Sequence, residues 1–339
     1  MNGQFKGSKV LIVGGTGTIG QSLLREILLD NPDVIRILSR DEYKQFQLQQ
    51  EYKEYTNIRY LIGDVRDYNR VERAMQDIDY VFHTAAMKHV PACEYNPFEA
   101  VQTNILGTQN VIQAALACDV KKVVFTSTDK AISPTNTYGA SKLMAERLMS
   151  AAQFQAGTKK TIFAAVRFGN VMGSRGSVIP LFKWQVEEKG KITITCKEMT
   201  RFMMSLRQAT ELTIKAMHIA KGGETFVLKM PVVRLMDLAN IVVQSTSSTL
   251  NIPSSEIGIE EIGIRPGEKM YEELMTEEES ISAKETDEMF IITNSFLGNR
   301  DYAGAVASKK QSYSSHGLTP LSIEELQHLL VSENLIRIQ

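Results

Sequence analysis

The sequence predicts an α/β protein: a doubly wound parallel sheet with a smaller lobe formed by the C-terminal part of the chain. Three observations carry this prediction. Short apolar strands alternate with helices as far as residue 167, and the first strand ends in a glycine-rich turn at residues 14–20. After residue 171 the alternation weakens and the loops lengthen. Strands that alternate with helices of this length form a parallel sheet covered by helices on both faces.

The glycine-rich turn indicates a dinucleotide site. Strand 9–13 ends in Gly14, and Gly17 and Gly20 follow before an apolar helix begins. The first two glycines let the backbone turn tightly and approach a pyrophosphate, and the third lets the helix pack closely on the strand. Free amide groups at the start of the helix then bind the phosphates. The residues predicted to bind the cofactor here are Gly14, Thr16, Gly17, Thr18, Ile19 and Gly20.

The end of the second strand, 34–38, distinguishes NAD from NADP. NAD sites place an acidic residue here for the ribose 2′-hydroxyl, whereas NADP sites place small and cationic groups for the 2′-phosphate. Ser39 and Arg40 follow the strand, and Lys44 lies one helical turn further on. Asp41 comes one position late and is expected to cap the following helix. We therefore predict NADP in preference to NAD.

Two further strands, 58–62 and 79–84, are expected to continue the site. Asp64 follows the first and is placed near the adenine, with a plain turn aspartate as the alternative. The second strand ends in small residues that let a cofactor lie close, followed by a cation and an imidazole for the substrate. The residues predicted here are Asp64, Val65, Ala85 and Ala86 for the cofactor and Lys88 and His89 for the substrate. A helix from about residue 97 to residue 118 comes next.

The stretch VVFTSTDKAISPTNTYGASK, residues 123–142, holds the candidate catalytic residues. An apolar strand ends in three hydroxyl residues, which an acid–base pair follows, Asp129 and Lys130. Tyr138 and Lys142 lie four residues apart and share one face of a helix, a chance surface pair being the alternative. A neighbouring ammonium favours the phenolate, so we expect Tyr138 to act as a base well below its free pKa of about 10. These groups supply more proton-transfer capacity than a simple alcohol oxidation needs.

The second half of the chain is less regular. A strand at 161–167 leads into a glycine-bearing loop at 168–180, and loops of that length are usually functional. We expect a small strand at 191–195, a loop edge at 199–202, helices at 207–219 and 235–245, and a strand at 223–228. In the loop 264–269 the guanidinium of Arg265 is suited to clamp a diphosphate, a salt-bridged turn being the alternative. Ser322 and Glu325 form a capping box for the last helix.

The bulk composition of the 339 residues excludes several classes of function. Hydrophobic residues make up 43%, charged residues 23%, and the formal net charge is −1. This charge gives no basis for nucleic acid or an anionic membrane as a partner. The three cysteines are widely spaced and the five histidines form no close pair, so we expect neither disulfides nor a metal site. A polar N-terminus, and no run near about 20 apolar residues, predict a cytoplasmic protein without a signal peptide or a membrane span.

Taken in order and spacing, the motifs resemble the extended short-chain dehydrogenase/reductase superfamily. They are GGTGTIG, SRD, AAMKHVP, STDK, YGASK, GNVMGSRGSVIP, MTRF and RPGEK. Within the superfamily they look most like the inverting UDP-N-acetylglucosamine 4,6-dehydratases of pseudaminic-acid and capsule polysaccharide biosynthesis. The resemblance covers residues 7–320. It implies tightly held NADP in a Rossmann domain at 7–170 to which the chain can later return, a mainly UDP-sugar-binding lobe at 171–320, a C-terminal helix and tail at 321–339, and a homo-oligomer, either dimer or hexamer.

The resemblance also implies residue roles. Tyr138, assisted by Lys142 and Thr128, takes the proton of the sugar 4-hydroxyl while hydride passes from C4 to the nicotinamide. The 4-ketone acidifies the C5 proton, which Lys130 removes while Asp129 protonates the leaving 6-hydroxyl. Hydride then returns to C6. Relatives that retain the C5 configuration carry Asp-Glu here, so Asp-Lys implies inversion. The residues implied to hold the UDP-sugar are Asn170, Val178, Ile179, Thr195, Arg201, Arg265 and Glu268.

Two rival functions remain open at this point. A UDP-hexose or UDP-N-acetylglucosamine 4-epimerase on the same scaffold also needs Tyr138, Lys142 and a nucleotide cofactor, but it does not need Asp129 and Lys130. A non-catalytic NADP-binding sensor commonly lacks the tyrosine or the lysine, and both are present here. For a dehydratase, the sequence leaves two products open, the 4-keto sugar and the 5,6-alkene.

Overall fold

The computed structural model describes residues 3–174, 176–298 and 300–337. Its strands are β1 (Lys9–Val13), β2 (Val34–Ser39), β3 (Ile58–Ile62), β4 (Tyr80–His83), β5 (Lys122–Thr128), β6 (Ile162–Phe168), β7 (Asn170–Val171), β8 (Lys191–Ile194), β9 (Thr200–Met204), β10 (Thr225–Leu228), β11 (Val232–Arg234), β12 (Gly258–Glu261), β13 (Glu273–Met275), β14 (Ala283–Glu285), β15 (Met289–Ile292), β16 (Val306–Ala307) and β17 (Tyr313–Ser314). Its α-helices are α1 (Thr18–Leu28), α2 (Glu42–Glu51), α3 (Tyr68–Met75), α4 (Val90–Tyr95), α5 (Pro97–Ala100), α6 (Gly107–Ala117), α7 (Thr137–Gln155), α8 (Val178–Lys189), α9 (Leu206–Ile219), α10 (Leu235–Leu250), α11 (Glu277–Ser282) and α12 (Ile323–Ser332). Within these described ranges, no helix combines the length and the apolar character that crossing a bilayer requires.

The central sheet has the doubly wound topology that the sequence predicts. The strands β3, β2, β1, β4, β5, β6 and β10 lie side by side in that order and run parallel. The antiparallel strands β15, β14 and β16 extend the sheet beyond β10. The strand order reverses between β1 and β4, and in such sheets the crevice outside the carboxyl ends of the strands at this point binds ligands.

Successive side chains of the strands point to opposite faces of the sheet and belong to two apolar clusters, one on each face. In β1, Val10 and Ile12 belong to one cluster, and Leu11 and Val13 belong to the other. Both faces are therefore buried, as expected for a parallel sheet sandwiched between helices. A third cluster joins α8, α10 and α12 in the lobe. The chain after residue 171 contributes to both units, because β10 and β14–β16 belong to the central sheet.

The structure corrects several element predictions. Of residues 199–202, expected to form a loop edge, residues 200–202 begin β9, which pairs with β7 and β11. The loop expected to reach residue 180 ends at residue 177, because α8 begins at Val178. The helix predicted at 97–118 includes a π-helical segment at Val101–Leu106, and the preceding α4 was not predicted. The capping box of α12 is confirmed. Arg175 of the GNVMGSRGSVIP loop and the last two residues of the predicted tail lie outside the described ranges.

A buried cluster of charged side chains connects the central sheet to α7 and to α11. Arg167 of β6 is fully buried, and its guanidinium donates to Glu146 of α7 and to both carboxylate oxygens of Glu279 at 3.0 Å. It also donates to the carbonyl oxygen of Leu274 at 2.6 Å. Burial alone would lower the pKa of Arg167, but the two carboxylates raise it. One side chain thus joins β6, α7 and α11.

Replacing Arg167 by alanine is expected to lower the free energy of unfolding by about 3–5 kcal/mol, because buried carboxylates lose their partner. Urea denaturation followed by circular dichroism measures the change. The control is Arg207→Ala, which removes a 79% exposed arginine that pairs with Glu211 on the surface of α9 and should leave stability close to wild type. Equal effects of the two substitutions would contradict the structural role of the cluster.

Candidate active site

Two adjoining cavities lie along the carboxyl ends of the parallel strands. The sheet cavity, with a volume of about 590 Å³, is bordered by the glycine turn, the ends of β5 and β6 and the start of α7. The lobe cavity, of about 370 Å³, lies between this sheet edge and the lobe. The residues that line both cavities are Asp129, Lys130, Asn170, Val171, Gly176 and Ser177. A ligand that extends through both must therefore pass the acid–base pair.

The glycine turn fits a dinucleotide. Gly14 has a φ of +85°, and a Cβ there would lie 2.6 Å from the backbone nitrogen of Ala85. A Cβ on Gly20 would lie 2.5 Å from the Cα of Gly15, so only glycine lets α1 pack this closely on the turn. The N-cap residue Gly17 provides no side-chain cap, which leaves amide donors beside the sheet cavity for a pyrophosphate. The predicted residues Thr16, Gly17, Thr18, Ile19 and Gly20 line this cavity.

The end of β2 carries cations, as predicted. Lys44 lines the sheet cavity, and Arg40 is exposed beside it with Nη1 3.4 Å from Asp64 Oδ2. Asp41 Oδ1 accepts the backbone N–H of Lys44 at 3.0 Å and caps α2, which confirms the capping prediction. The hydroxyl oxygens of Ser39 and Thr16 lie 2.7 Å apart. Small and cationic side chains thus lie together at the end of β2.

Asp64 is held in a local turn by arginine. Its Oδ1 accepts the backbone N–H of Arg66 at 3.0 Å, and its Oδ2 accepts from the Arg66 side chain. Burial alone would raise the pKa of Asp64, but these bonds lower it below its usual value.

Six of the predicted cofactor residues do not line either cavity. Among the described residues, the lining of the two cavities does not include Gly14, Ser39, Arg40, Asp64, Val65 and Ala85.

Asp129 and Lys130 form the 3-10 turn that follows β5. The hydroxyl of Thr128 donates to Asp129 Oδ1 at 2.8 Å and accepts from the backbone N–H of Lys130 at 3.4 Å. Lys130 Nζ donates to Asp129 Oδ1 and Oδ2 at 3.2 and 3.0 Å. A Cβ on Gly139 would lie 2.1 Å from the carbonyl oxygen of Lys130. Glycine at this place in YGASK therefore lets α7 pack against the turn.

The electrostatics of this pair place the proton on the lysine. The side chain of Asp129 is 3% exposed, and burial would raise its pKa, but the ammonium of Lys130 lowers it. Burial would lower the pKa of Lys130, but Asp129 and a second carboxylate, Glu272, raise it above its usual value. The described state is therefore a carboxylate–ammonium couple.

The pKa expected for Tyr138 is wrong in this state. Burial raises the pKa of Tyr138 to about 12, outweighing the lowering effects of Lys130 and of a hydrogen bond with Thr128. Lys142, the expected partner of the phenol, instead donates from Nζ to the carbonyl oxygen of Thr126 at 2.6 Å. Burial lowers the pKa of Lys142 to about 7. Sharing a helix face did not bring the ammonium to the phenol, because a strand carbonyl competes for it.

The lobe cavity brings together most of the predicted substrate residues. Those that line it are Asn170, Val178, Ile179, Thr195, Arg201, Arg265 and Glu268, whereas Lys88 and His89 line the sheet cavity. The carbonyl oxygen of Gly267 accepts from Thr135 Oγ1 at 2.8 Å and from Asn136 Nδ2 at 3.0 Å. These bonds dock the RPGEK loop on the residues before α7. Glu268 Oε2 accepts the backbone N–H of Arg265 at 3.3 Å, so this carboxylate stabilises the turn itself.

The side-chain amide of Asn104 fixes the wall of the sheet cavity at Met87. Asn104, in the π-helical segment, is 1% exposed. Its Oδ1 accepts the backbone N–H of Met87 at 2.8 Å, and its Nδ2 donates to the Met87 carbonyl at 3.0 Å and to Ser141 Oγ at 2.9 Å. π-Helical segments often occur at functional sites. Here the segment ties the chain after β4 to α7.

Sequence reasoning missed Glu272, which lines the lobe cavity. It is 5% exposed, and burial raises its pKa to about 7. The signal in the sequence was the paired Glu272 and Glu273 just after the RPGEK motif, beside the buried Leu274. Both glutamates line the lobe cavity, and nothing local told which of the two is buried.

The described residues contain one group of ligand-type side chains outside the two cavities. The ligand atoms of Cys196, Glu198 and Glu261 lie within 4.8 Å of one another. Cys196 Sγ donates to Glu198 Oε2 at 3.0 Å, and both glutamates are exposed. The thiol–carboxylate hydrogen bond accounts for this proximity.

Comparison with known proteins identifies the family of this chain. The model of the family described as polysaccharide biosynthesis protein matches residues 10–294. The chain belongs to the polysaccharide biosynthesis protein family. The matched range of this family contains the glycine turn, the Asp129–Lys130 couple, Tyr138 and the RPGEK loop.

Three similar proteins illustrate the range of this family. The UDP-N-acetylglucosamine 4,6-dehydratase (inverting) of Campylobacter jejuni is 42% identical over 294 residues, which cover 86% of this chain and 84% of that protein. The UDP-glucose 4-epimerase of Rickettsia bellii is 40% identical over 340 residues, 97% of this chain and 96% of that one. The X-ray structure of Pen from Bacillus thuringiensis has 57% sequence identity and a TM-score of 0.93, covering 98% of this chain and all of that one. The predicted resemblance to inverting UDP-N-acetylglucosamine 4,6-dehydratases is confirmed.

Replacing Lys142 by methionine tests the buried state of this lysine. Lysine titrates near 10.5 in the unfolded chain and at about 7 in the fold. Between these values the unfolded state binds more protons, so stability rises with pH. We expect the melting temperature of nucleotide-free protein to rise more between about pH 7 and pH 9 in wild type than in Lys142→Met. Calorimetry at several pH values measures both slopes.

The control for this prediction is Lys191→Met, which removes an exposed lysine from β8 and should keep the wild-type slope. An identical slope in Lys142→Met and wild type would show that Lys142 is not the titrating group.

Proposed function

We propose that this member of the polysaccharide biosynthesis protein family is a UDP-N-acetylglucosamine 4,6-dehydratase that inverts C5. The observation that supports it most is the Asp129–Lys130 couple at the junction of the two cavities, with Tyr138 lining the same sheet cavity. A 4-epimerase needs the tyrosine and Lys142 but no second acid–base pair. A dehydratase needs that pair to remove the C5 proton and to protonate the 6-hydroxyl as it leaves.

Each catalytic side chain has a proton to move in this reaction. A bound nicotinamide cofactor supplies the oxidation at C4 and the later reduction at C6. Tyr138, assisted by Thr128 and Lys142, takes the proton of the 4-hydroxyl. Lys130 removes the C5 proton, which the 4-ketone has acidified, while Asp129 protonates the 6-hydroxyl. Return of a proton to the opposite face of C5 yields UDP-2-acetamido-2,6-dideoxy-L-arabino-hexos-4-ulose, a precursor for nucleotide sugars of the pseudaminic-acid type.

These roles require a change from the described protonation state. The proton lies on Lys130, whereas elimination needs a free amine and a neutral Asp129. Lys130 Nζ and Asp129 Oδ2 are 3.0 Å apart, so the transfer follows an existing hydrogen bond. A sugar nucleotide that displaces water from the cleft lowers the dielectric and disfavours a separated carboxylate and ammonium. Substrate binding thus favours the neutral pair that the elimination uses.

The cofactor we assign is NADP. Arg40 and Lys44 at the end of β2 supply cations for a 2′-phosphate. Each of these cations is held by an acid: Lys44 Nζ lies 2.5 Å from Asp41 Oδ2, and Arg40 Nη1 lies 3.4 Å from Asp64 Oδ2. Asp41 also caps α2, and Asp64 also accepts from Arg66. The UDP moiety is assigned to the lobe cavity, where Arg201 and Arg265 provide guanidinium groups suited to a diphosphate.

The second candidate is a UDP-sugar 4-epimerase. The Rickettsia bellii UDP-glucose 4-epimerase, 40% identical over nearly the whole chain, favours it. The two activities differ in mass: dehydration removes one water from UDP-N-acetylglucosamine, whereas epimerisation leaves the mass unchanged. Mass spectrometry of the product therefore separates them.

Lys130→Ala and Asp129→Asn are each expected to slow water loss about 10²–10⁴-fold, because a positioned acid or base contributes about that much. The substrate is UDP-N-acetylglucosamine, and water loss is followed by mass spectrometry. Proton NMR in deuterium oxide reports exchange at C5 and distinguishes the keto sugar from the 5,6-alkene.

The matched controls are Lys159→Ala and Asp119→Asn, which break an exposed ion pair of the same residue types at 2.7 Å. Both should dehydrate at the wild-type rate. Wild-type water loss in Lys130→Ala and Asp129→Asn would refute the assignment of the couple as acid and base.

Arg40→Ala is expected to weaken NADP binding about 10–100-fold, because hydrogen bonds to charged groups contribute about 1.5–3 kcal/mol. NAD affinity should change less than threefold, since NAD has no 2′-phosphate. Calorimetric titration measures both, with Lys53→Ala as a control on an exposed residue just after α2. An equal loss for NAD and NADP would contradict the NADP assignment.

A further inference from the structure

Glu272 is the hub of the polar network in the lobe cavity. Its Oε1 lies 3.7 Å from Lys130 Nζ and 3.3 Å from Arg201 Nε. Asn170 Nδ2 donates to both carboxylate oxygens at 2.7 Å. The backbone N–H of Phe202 donates to Oε2 at 3.0 Å. One buried carboxylate thus contacts a residue of the catalytic couple and two of the predicted substrate residues.

The contact with Glu272 gives the Lys130 amine a second carboxylate partner. Asp129 holds Nζ through two hydrogen bonds from the adjacent residue in the chain. Glu272 comes from a segment 142 positions later in the sequence, adds a long-range partner and also interacts directly with Asp129. An ammonium paired with two carboxylates has a narrower range of positions than one paired with a single carboxylate.

The same carboxylate also contacts two other side chains that line the lobe cavity, Arg201 and Asn170. Arg201 Nε faces Glu272, while its Nη1 donates to the carbonyl oxygen of Thr200 at 2.8 Å. Asn170 follows β6, and its side-chain nitrogen also donates to the carbonyl oxygen of Phe202. Glu272 therefore links the end of the sheet to β9 in the lobe.

We propose that Glu272 is a positioning residue: its carboxylate holds the Lys130 amine at the junction of the two cavities and aligns Arg201 and Asn170 beside it. The proposal rests on the proposed function, because it assigns Lys130 the removal of the C5 proton. It extends that function by naming a carboxylate outside the sequence motifs on which the placement of the base depends.

Glu272→Gln removes the charge of this side chain. Glutamine has nearly the same shape, and its oxygen still accepts the N–H of Phe202, so the link to β9 is kept. Its amide nitrogen replaces the oxygen that faces Lys130, Arg201 and Asn170. The variant loses the ionic attraction for Lys130 and Arg201. Access to Lys130, whose side chain is 33% exposed, stays the same.

The first measurement is the reactivity of Lys130 in the enzyme as purified. Trace acetic anhydride acetylates free amines, and peptide mass spectrometry quantifies labelling at Lys130 against exposed Lys191 in the same digest. An opposite charge at this distance changes a pKa by about one to three units, so Glu272→Gln should label at Lys130 about tenfold or more faster at pH 8. A purely structural glutamate would not move this ratio.

The second measurement is turnover of UDP-N-acetylglucosamine. We expect kcat for water loss to fall about tenfold or more in Glu272→Gln, with a smaller change in UDP affinity. More of the Lys130 amine is free in this variant, so the slower reaction cannot come from a smaller share of free base and reports a weaker or misplaced base. Lys130 labelling within twofold of wild type, or kcat within twofold of wild type, would overturn the proposal.

Glu224→Gln is the matched control. Glu224 is 2% exposed, accepts two backbone N–H groups and lies near Arg300, so it is a buried, hydrogen-bonded carboxylate like Glu272. The control should keep wild-type labelling and turnover. If the wild-type enzyme produces an epimer and loses no water, the proposed function fails. The labelling ratio, which needs no substrate, still decides whether Glu272 holds Lys130.

Discussion

The cleft depends on one ammonium group that is paired with two buried carboxylates. Lys130 lies 3.0 Å from Asp129 and 3.7 Å from Glu272, and both acids are almost fully removed from solvent. Burying such charges is costly, and their attraction offsets the cost only when the geometry is good and the remaining oxygens are hydrogen-bonded. Thr128 supplies that bond for Asp129, and Asn170 supplies it for Glu272. The ends of β5 and β6 are thus fixed by electrostatics as well as by packing.

Because of this constraint, the protonation states in the described structure differ from those that the proposed reaction needs. Lys130 keeps the proton that Asp129 has to donate in the proposed elimination, and Tyr138 is protonated with a pKa of about 12. Lys142 is turned to a strand carbonyl and has a pKa near neutrality. The states of Tyr138 and Lys142 follow from burial, whereas the protonated state of Lys130 follows from the two carboxylates beside it. A charged nucleotide in the cleft changes the field at all of them together.

The sequence predicted the parts of the molecule whose causes are local. Gly14 has a positive φ, Gly20 meets the backbone of Gly15 in the same turn, and Asp41 caps the helix that follows it. The alternation in β1 placed its residues on the two faces of the sheet. The misses have long-range causes: residues 200–202 belong to β9 because β7 and β11 offer backbone partners. Glu272 turns inward because cations from distant strands and loops face it.

The position of the couple also bears on how one scaffold serves both epimerisation and dehydration. In the proposed function, oxidation and reduction at C4 use Tyr138 and Lys142, which line the sheet cavity. The proposed removal of a proton from C5 and of water from C6 uses the second acid–base pair. Asp129 and Lys130 line both cavities, and the lobe contributes Arg201 and β9 to their surroundings. Since β9 pairs with β7 at the end of the sheet, the lobe is braced against the strand ends that carry the couple. The second acid–base pair is therefore as much a property of the lobe as of the STDK motif.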